Sequence, residues 1–120
     1  MRIVDVSEPV SDVDAAPFAV PVVAVGPLRR ASEFWLEQAT FTLTEDDTLD
    51  RRAITVLSVD SAIADLSDRV NRWPIASAVC DDVLRSVDTS APAFAGVVAE
   101  SLAYSTLQGG PEFARWLAER

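Results

Sequence analysis

The sequence predicts an α/β fold: a small parallel or mixed sheet of three to four strands in the N-terminal half, followed by four helices. Three observations predict it. A β-branched run, "AVPVVAV" at residues 19–25, is bounded by Pro17 and Gly26, as expected of a buried strand. "ATFTLT" at residues 39–44 alternates apolar and polar positions, the period of a strand. From residue 60 onward the apolar residues recur at helical spacing, interrupted by Pro74, Pro92, Gly109-Gly110 and Pro111.

The elements follow in order. "RIVDV", residues 2–6, fits a short strand whose face Ile3 and Val6 do not settle. Residues 7–17 are acidic and proline-punctuated and read as a loop or a weak turn of helix. Residues 19–25 form the second strand, where Pro21 is tolerated near the start. "LRRASEFWLEQ", residues 28–38, fits a helix with Leu28, Ala31, Trp35 and Gln38 on one stripe. In residues 39–44, Phe41 and Leu43 take the buried side and Thr40, Thr42 and Thr44 the other. "EDDTLDRR" is a charged loop, and "AITVLSV", residues 53–59, another apolar strand. Strand, helix and strand over residues 19–43 make a parallel βαβ unit.

Asp60 or Ser61 is placed to cap a helix carrying Ile63, Leu66, Val70 and Trp73. Pro74 ends it and opens the next, at a position where proline costs no hydrogen bond. That helix is expected to bury Ile75, Val79, Val83 and Val87, spaced by four. Thr89 or Ser90 caps a longer helix begun by Pro92, whose stripe is Phe94, Val97, Val98, Ser101, Leu102 and Ser105. Gly109-Gly110 ends it through glycine's access to positive φ. Pro111 opens the last helix, with Phe113, Trp116 and Leu117. A length of 120 residues implies one domain, a strand-rich part over 1–59 and a helical part over 60–120.

Composition excludes much chemistry. The net charge of −9 repels phosphate backbones and anionic lipid, so neither nucleic acid nor a membrane is an expected partner. Every basic residue is arginine, which removes Schiff-base and P-loop lysines. Histidine is absent, removing the commonest general base and most zinc sites. A single cysteine permits no internal disulfide and implies a reducing compartment. "MRIVDVSEPV" is not a secretory signal, and no window of about 20 apolar residues occurs. The expected location is the cytoplasm.

The remaining candidates have bland readings. Glu45, Asp46 and Asp47 lack the spacing and glycine of a calcium loop and read as a solvated loop. Asp81 and Asp82 are adjacent on a helix and point about 100° apart, so they read as a polar face. Cys80 has no neighbour that would activate it and reads as a small core residue. Tyr104 with Ser101 and Ser105 lacks the lysine such groups work with. No metal site is expected. Arg29 and Arg30, after Gly26 at a strand-to-helix turn, are the one place to look for a phosphate or coenzyme A contact.

Three stretches carry a resemblance. "AGVVAESLAYSTLQGGPEFARWLAER", residues 95–120, resembles the C-terminal helices of the crotonase superfamily, the enoyl-CoA hydratases and isomerases. "APFAVPVVAVGP", residues 16–27, looks like that family's central strand. "SAIADLSDRVNRWPIASAVCDDVLRSV", residues 61–87, is similar to its helix pair around a proline. The order matches over nearly the whole chain. The resemblance implies a crotonase-like remnant, either a short degenerate member or the N-terminal region of a longer one.

The departures bear on activity. The family holds the thioester oxygen with two backbone N–H groups. One comes from a loop with no counterpart here. The other comes from a glycine-rich turn that reads "GPLRRASEF" in this chain, where Pro27 removes a donor. The first catalytic glutamate of the family falls near Glu33, and the second has no match. The expectation is therefore a crotonase-related, non-catalytic domain that associates with itself or with a full-length crotonase-type subunit. By the same resemblance Phe113, Trp116 and Leu117 are the candidate interface. No cofactor is expected, with a coenzyme A thioester as a possible ligand. Two alternatives stay open: a weak or specialised enoyl-CoA hydratase/isomerase using Glu33, and a module binding coenzyme A at Gly26, Arg29 and Arg30 without chemistry.

Overall fold

A computed structural model describes residues 1–11, 20–86 and 92–120. It is an α/β fold with a four-stranded parallel sheet in the N-terminal half and four helices after it. The chain divides into two compact units, Met1–Val70 and Asn71–Arg120.

The first unit contains strands β1 (Arg2–Asp5), β2 (Val22–Val25), β3 (Phe41–Thr44) and β4 (Ala53–Thr55), in that spatial order. Each neighbour is parallel, with Val4 beside Ala24, Ala24 beside Thr42, and Thr42 beside Ala53. Between β2 and β3 the chain makes a 3₁₀ turn, Leu28–Arg30, and a short helix α1, Glu33–Gln38. The continuous helix expected over 28–38 is thus broken. Ala31 and Ser32 are extended, and the Ser32 N–H donates to the Val6 carbonyl at 2.7 Å, tying the chain to the end of β1.

The core is Val4, Val6, Val22, Ala24 and Trp35, with Ala31, Phe34 and Ala39 against it. Trp35 is fully buried, and its indole N–H donates to the Glu8 carbonyl at 2.8 Å, so burial leaves no unpaired donor. The threonine side of β3 is buried rather than solvated: Thr42, Leu43 and Thr44 are all shielded, as befits an interior parallel strand covered on both faces. Thr44 Oγ1 accepts from the Asp46 N–H, whereas Thr42 Oγ1 finds no partner among the described residues.

The run "AITVLSV" is not one strand. It gives β4, then a coil in which Leu57 is fully exposed, then the start of α2 (Val59–Arg72). Ser58 caps α2 by accepting from the Ser61 N–H, in place of the expected Asp60 or Ser61. Ile63, Leu66 and Val70 are half-buried along one stripe, as expected.

The second unit holds α3 (Pro74–Ser86), α4 (Ala93–Gln108) and α5 (Pro111–Ala118). Pro74 and Pro111 open their helices as expected; Thr89, Ser90 and Val87 lie outside the described residues. Gly109 and Gly110 have φ of −79° and −91°, so positive φ does not explain the break. What favours glycine is space: a Cβ on Gly110 would sit 3.2 Å from the Leu107 carbonyl oxygen. The positive φ belongs to Gly26, at 134°.

Three side-chain expectations are corrected in α3: Cys80 as a core residue, Asp81 as part of a polar face, and Ile75 as a buried residue, which is 44% accessible. Cys80 is exposed, and the buried residue of α3 is Asp81, 3% accessible and paired with Arg85 at 3.0 Å one turn later. In α4, the apolar stripe faces outward. Phe94, Val97, Val98 and Leu102 are exposed, while Gly96, Ala99, Ala103 and Leu107, about 180° around the helix, are half-buried. Small residues allow close approach of the neighbouring backbone, so α4 packs by its least bulky side.

Candidate functional site

The first unit has a cleft of about 430 Å³ at the C-terminal ends of the strands, where parallel α/β sheets receive ligands. It is lined by Asp5 at the end of β1, Val25 and Gly26 at the end of β2, Arg29, and Thr44, Glu45 and Asp46 at the end of β3. Sequence and topology therefore bring Gly26 and Arg29 together. Arg30 is exposed beside them.

The turn's polar groups are already engaged. The Gly26 N–H donates to the Leu43 carbonyl at 3.2 Å, Pro27 has no N–H, and the Leu28 N–H donates to Asp46 Oδ2 at 2.9 Å. A carboxylate of this chain thus sits where an anion would meet the 3₁₀ turn. Glu45 Oε1 accepts from the Val59 N–H at 2.9 Å, at the start of α2. Asp5 accepts from both the hydroxyl and the N–H of Ser7. These bonds, with a smaller contribution from the Arg30 charge, hold its carboxyl below the usual carboxylate range.

Glu33 does not line this cleft. It begins α1, and its carboxylate pairs with Arg52, which also binds Asp50 at 2.8 Å. The hydrogen bonds from the Arg52 side chain and backbone pull the Asp50 carboxyl down to about 2.

The second unit has a smaller, apolar cleft of about 210 Å³ lined by Trp73, Tyr104, Leu107, Glu112, Phe113 and Trp116 among others. Phe113 and Trp116 stack at 5.6 Å with an interplanar angle of 21°. The Arg115 guanidinium lies 4.5 Å from the Trp73 ring and that of Arg120 lies 4.1 Å from Trp116. Glu112 spans the unit: its two oxygens accept from the Ile75 and Ala76 N–H groups, each at 2.9 Å, capping α3 from α5. Arg72 and Glu119 pair at 2.6 Å.

The three interface candidates therefore separate. Phe113 is half-buried against Trp116 within its own unit, Trp116 is 37% accessible, and Leu117 is 53% accessible. The larger exposed apolar surface lies on α4, along the stripe that helical spacing picks out. Helical spacing groups residues on a face but does not say which face is covered. Among the described residues no group of three metal-ligating side chains is assembled, and no helix is long and apolar enough to cross a membrane.

No protein-family model, no curated protein and no solved structure matches this chain.

Proposed function

We propose that this chain is a crotonase-related domain without catalytic activity of its own, working in the cytoplasm by association with a copy of itself or with a full-length crotonase-type subunit. The observation that carries the association is the helical unit. Among its described residues no apolar side chain is fully buried, while Phe94 is 75% and Leu102 66% accessible. Helices hold their place in water chiefly by burying an apolar face, and α4 leaves its bulkier one open. The non-catalytic half of the reading is supported by the turn after β2. Its amides already bond to Leu43 and Asp46, and Glu33 is held by Arg52 away from the cleft. Removing a single oxyanion donor costs about 10²–10³ in rate in enzymes that rely on one.

Mass by light scattering, for the chain alone and mixed with a purified enoyl-CoA hydratase subunit, tests association; a species heavier than the monomer is expected. Incubation with crotonyl-CoA, followed by enoyl absorbance, tests the lack of activity. Turnover that Glu33→Gln abolishes would overturn the reading in favour of a specialised hydratase.

A second reading is favoured by Arg29, which lines a cleft at the strand ends: a module holding coenzyme A there without chemistry. Asp5, Glu45 and Asp46 around the same cleft oppose an anionic ligand. Calorimetry with coenzyme A, repeated on Arg29→Ala/Arg30→Ala, separates the two; heat of binding lost in the variant would support the module.

A further inference from the structure

We infer that a second copy of this chain covers the outward face of α4, packed antiparallel about a two-fold axis through Val98. The inference rests on the association reading above and names its partner and geometry.

Three features of α4 favour a copy over other occupants. First, the pattern is self-complementary. Phe94, Val98 and Leu102 are four residues apart, so Phe94 and Leu102 lie one turn to either side of Val98. Rotation about Val98 sets each Phe94 against Leu102 of the partner subunit, large against large, with the two valines meeting at the centre. An isologous contact needs this symmetry.

Second, the face is free of charge. Of the 16 residues of α4 only Glu100 is of a charged type, and it lies off the stripe. The chain carries −9, so a basic partner would be drawn to the acidic surfaces. A copy of equal charge approaches most favourably through a neutral face.

Third, the hydroxyls on the face are already satisfied. Ser101 Oγ donates to the Val97 carbonyl at 2.8 Å and Ser105 Oγ to the Ser101 carbonyl at 2.9 Å. Covering them strands no donor. Phe94, Val97, Val98 and Leu102 together expose on the order of a few hundred Å², about half of a standard interface per partner, so the dimer is concentration-dependent.

The geometry supplies its own test. Helices about 8–10 Å apart, each with Cα atoms at a radius of about 2.3 Å, bring the two Val98 Cα atoms within disulfide range. In a Cys80→Ser background, Val98→Cys is expected to cross-link to itself under mild oxidation, and Glu100→Cys is not. Leu102→Glu, placing a carboxylate against the partner's Phe94, is expected to weaken the dimer at least ~100-fold by light scattering, with helix content by circular dichroism unchanged. A dimer that Leu102→Glu leaves intact and Val98→Cys fails to cross-link would overturn the α4 assignment and leave association standing. A chain that is monomeric alone but pairs with a crotonase-type subunit would overturn self-pairing only. A chain monomeric under both conditions would overturn both.

Discussion

In the first unit, Trp35, Val6, Val22 and Val23 are sealed from solvent; among the described residues of the helical unit, no apolar side chain is. The sheet coheres by a dry core under parallel strands. The second unit is tied by polar links between elements: the Glu112 carboxylate on two amides of α3, the Arg72–Glu119 pair and Arg115 stacked on Trp73. Exposed pairs and caps of this kind contribute on the order of 1 kcal/mol each, against several for a buried aromatic ring. The difference is one of means, a dry core in the first unit and polar ties in the second.

The contrast can be tested by breaking each side. Trp35→Ala removes the largest buried side chain and leaves the Glu8 carbonyl unpaired, so a loss of about 3–5 kcal/mol is expected in urea unfolding followed at the sheet. Arg85→Ala withdraws the cation beside a carboxylate that is 3% accessible. A loss of about 1–3 kcal/mol is expected, read by hydrogen exchange in α3. Glu112→Ala frees two N–H groups at the start of α3 and should cost about 1 kcal/mol, seen as faster exchange at Ile75 and Ala76. Thr42→Val runs the other way. The shape is kept and an unpaired buried hydroxyl is lost, so urea unfolding should show stability raised by up to about 1 kcal/mol.

The smallest effect is a titration. Asp50 is held at about 2 in the folded chain against an ordinary 3.8, so its interaction with Arg52 is present above about pH 4 and fades as pH falls toward 2. Carboxyl NMR should record that low value, and Arg52→Ala should return it toward 3.8.

Much of the frame was legible in the residues. The β-branched run before Gly26 and the alternation of "ATFTLT" became β2 and β3, and Pro74 and Pro111 opened α3 and α5. What escaped depends on partners distant in sequence. Thr42 and Thr44 look like a solvent face until both neighbours of β3 and its coverings are known. The Leu28 amide looks free until Asp46, 18 residues on, folds back to take it. α4 is apolar on opposite sides, Gly96, Ala99 and Ala103 on one and Phe94, Val98 and Leu102 on the other, so its periodicity could not choose a packing face. The candidate cleft was legible as a place, from Gly26 and Arg29, but its ring of carboxylates was not.

The strand order β1-β2-β3-β4 has a consequence for how the sheet is made. Each strand pairs with its predecessor in the chain, and none inserts between two already paired. A ribosome could therefore deliver the sheet as a growing ribbon, each new strand adding to an edge that is already exposed, with no earlier pairing undone. Each addition still waits on its crossover, because a parallel pair closes a longer loop than a hairpin does.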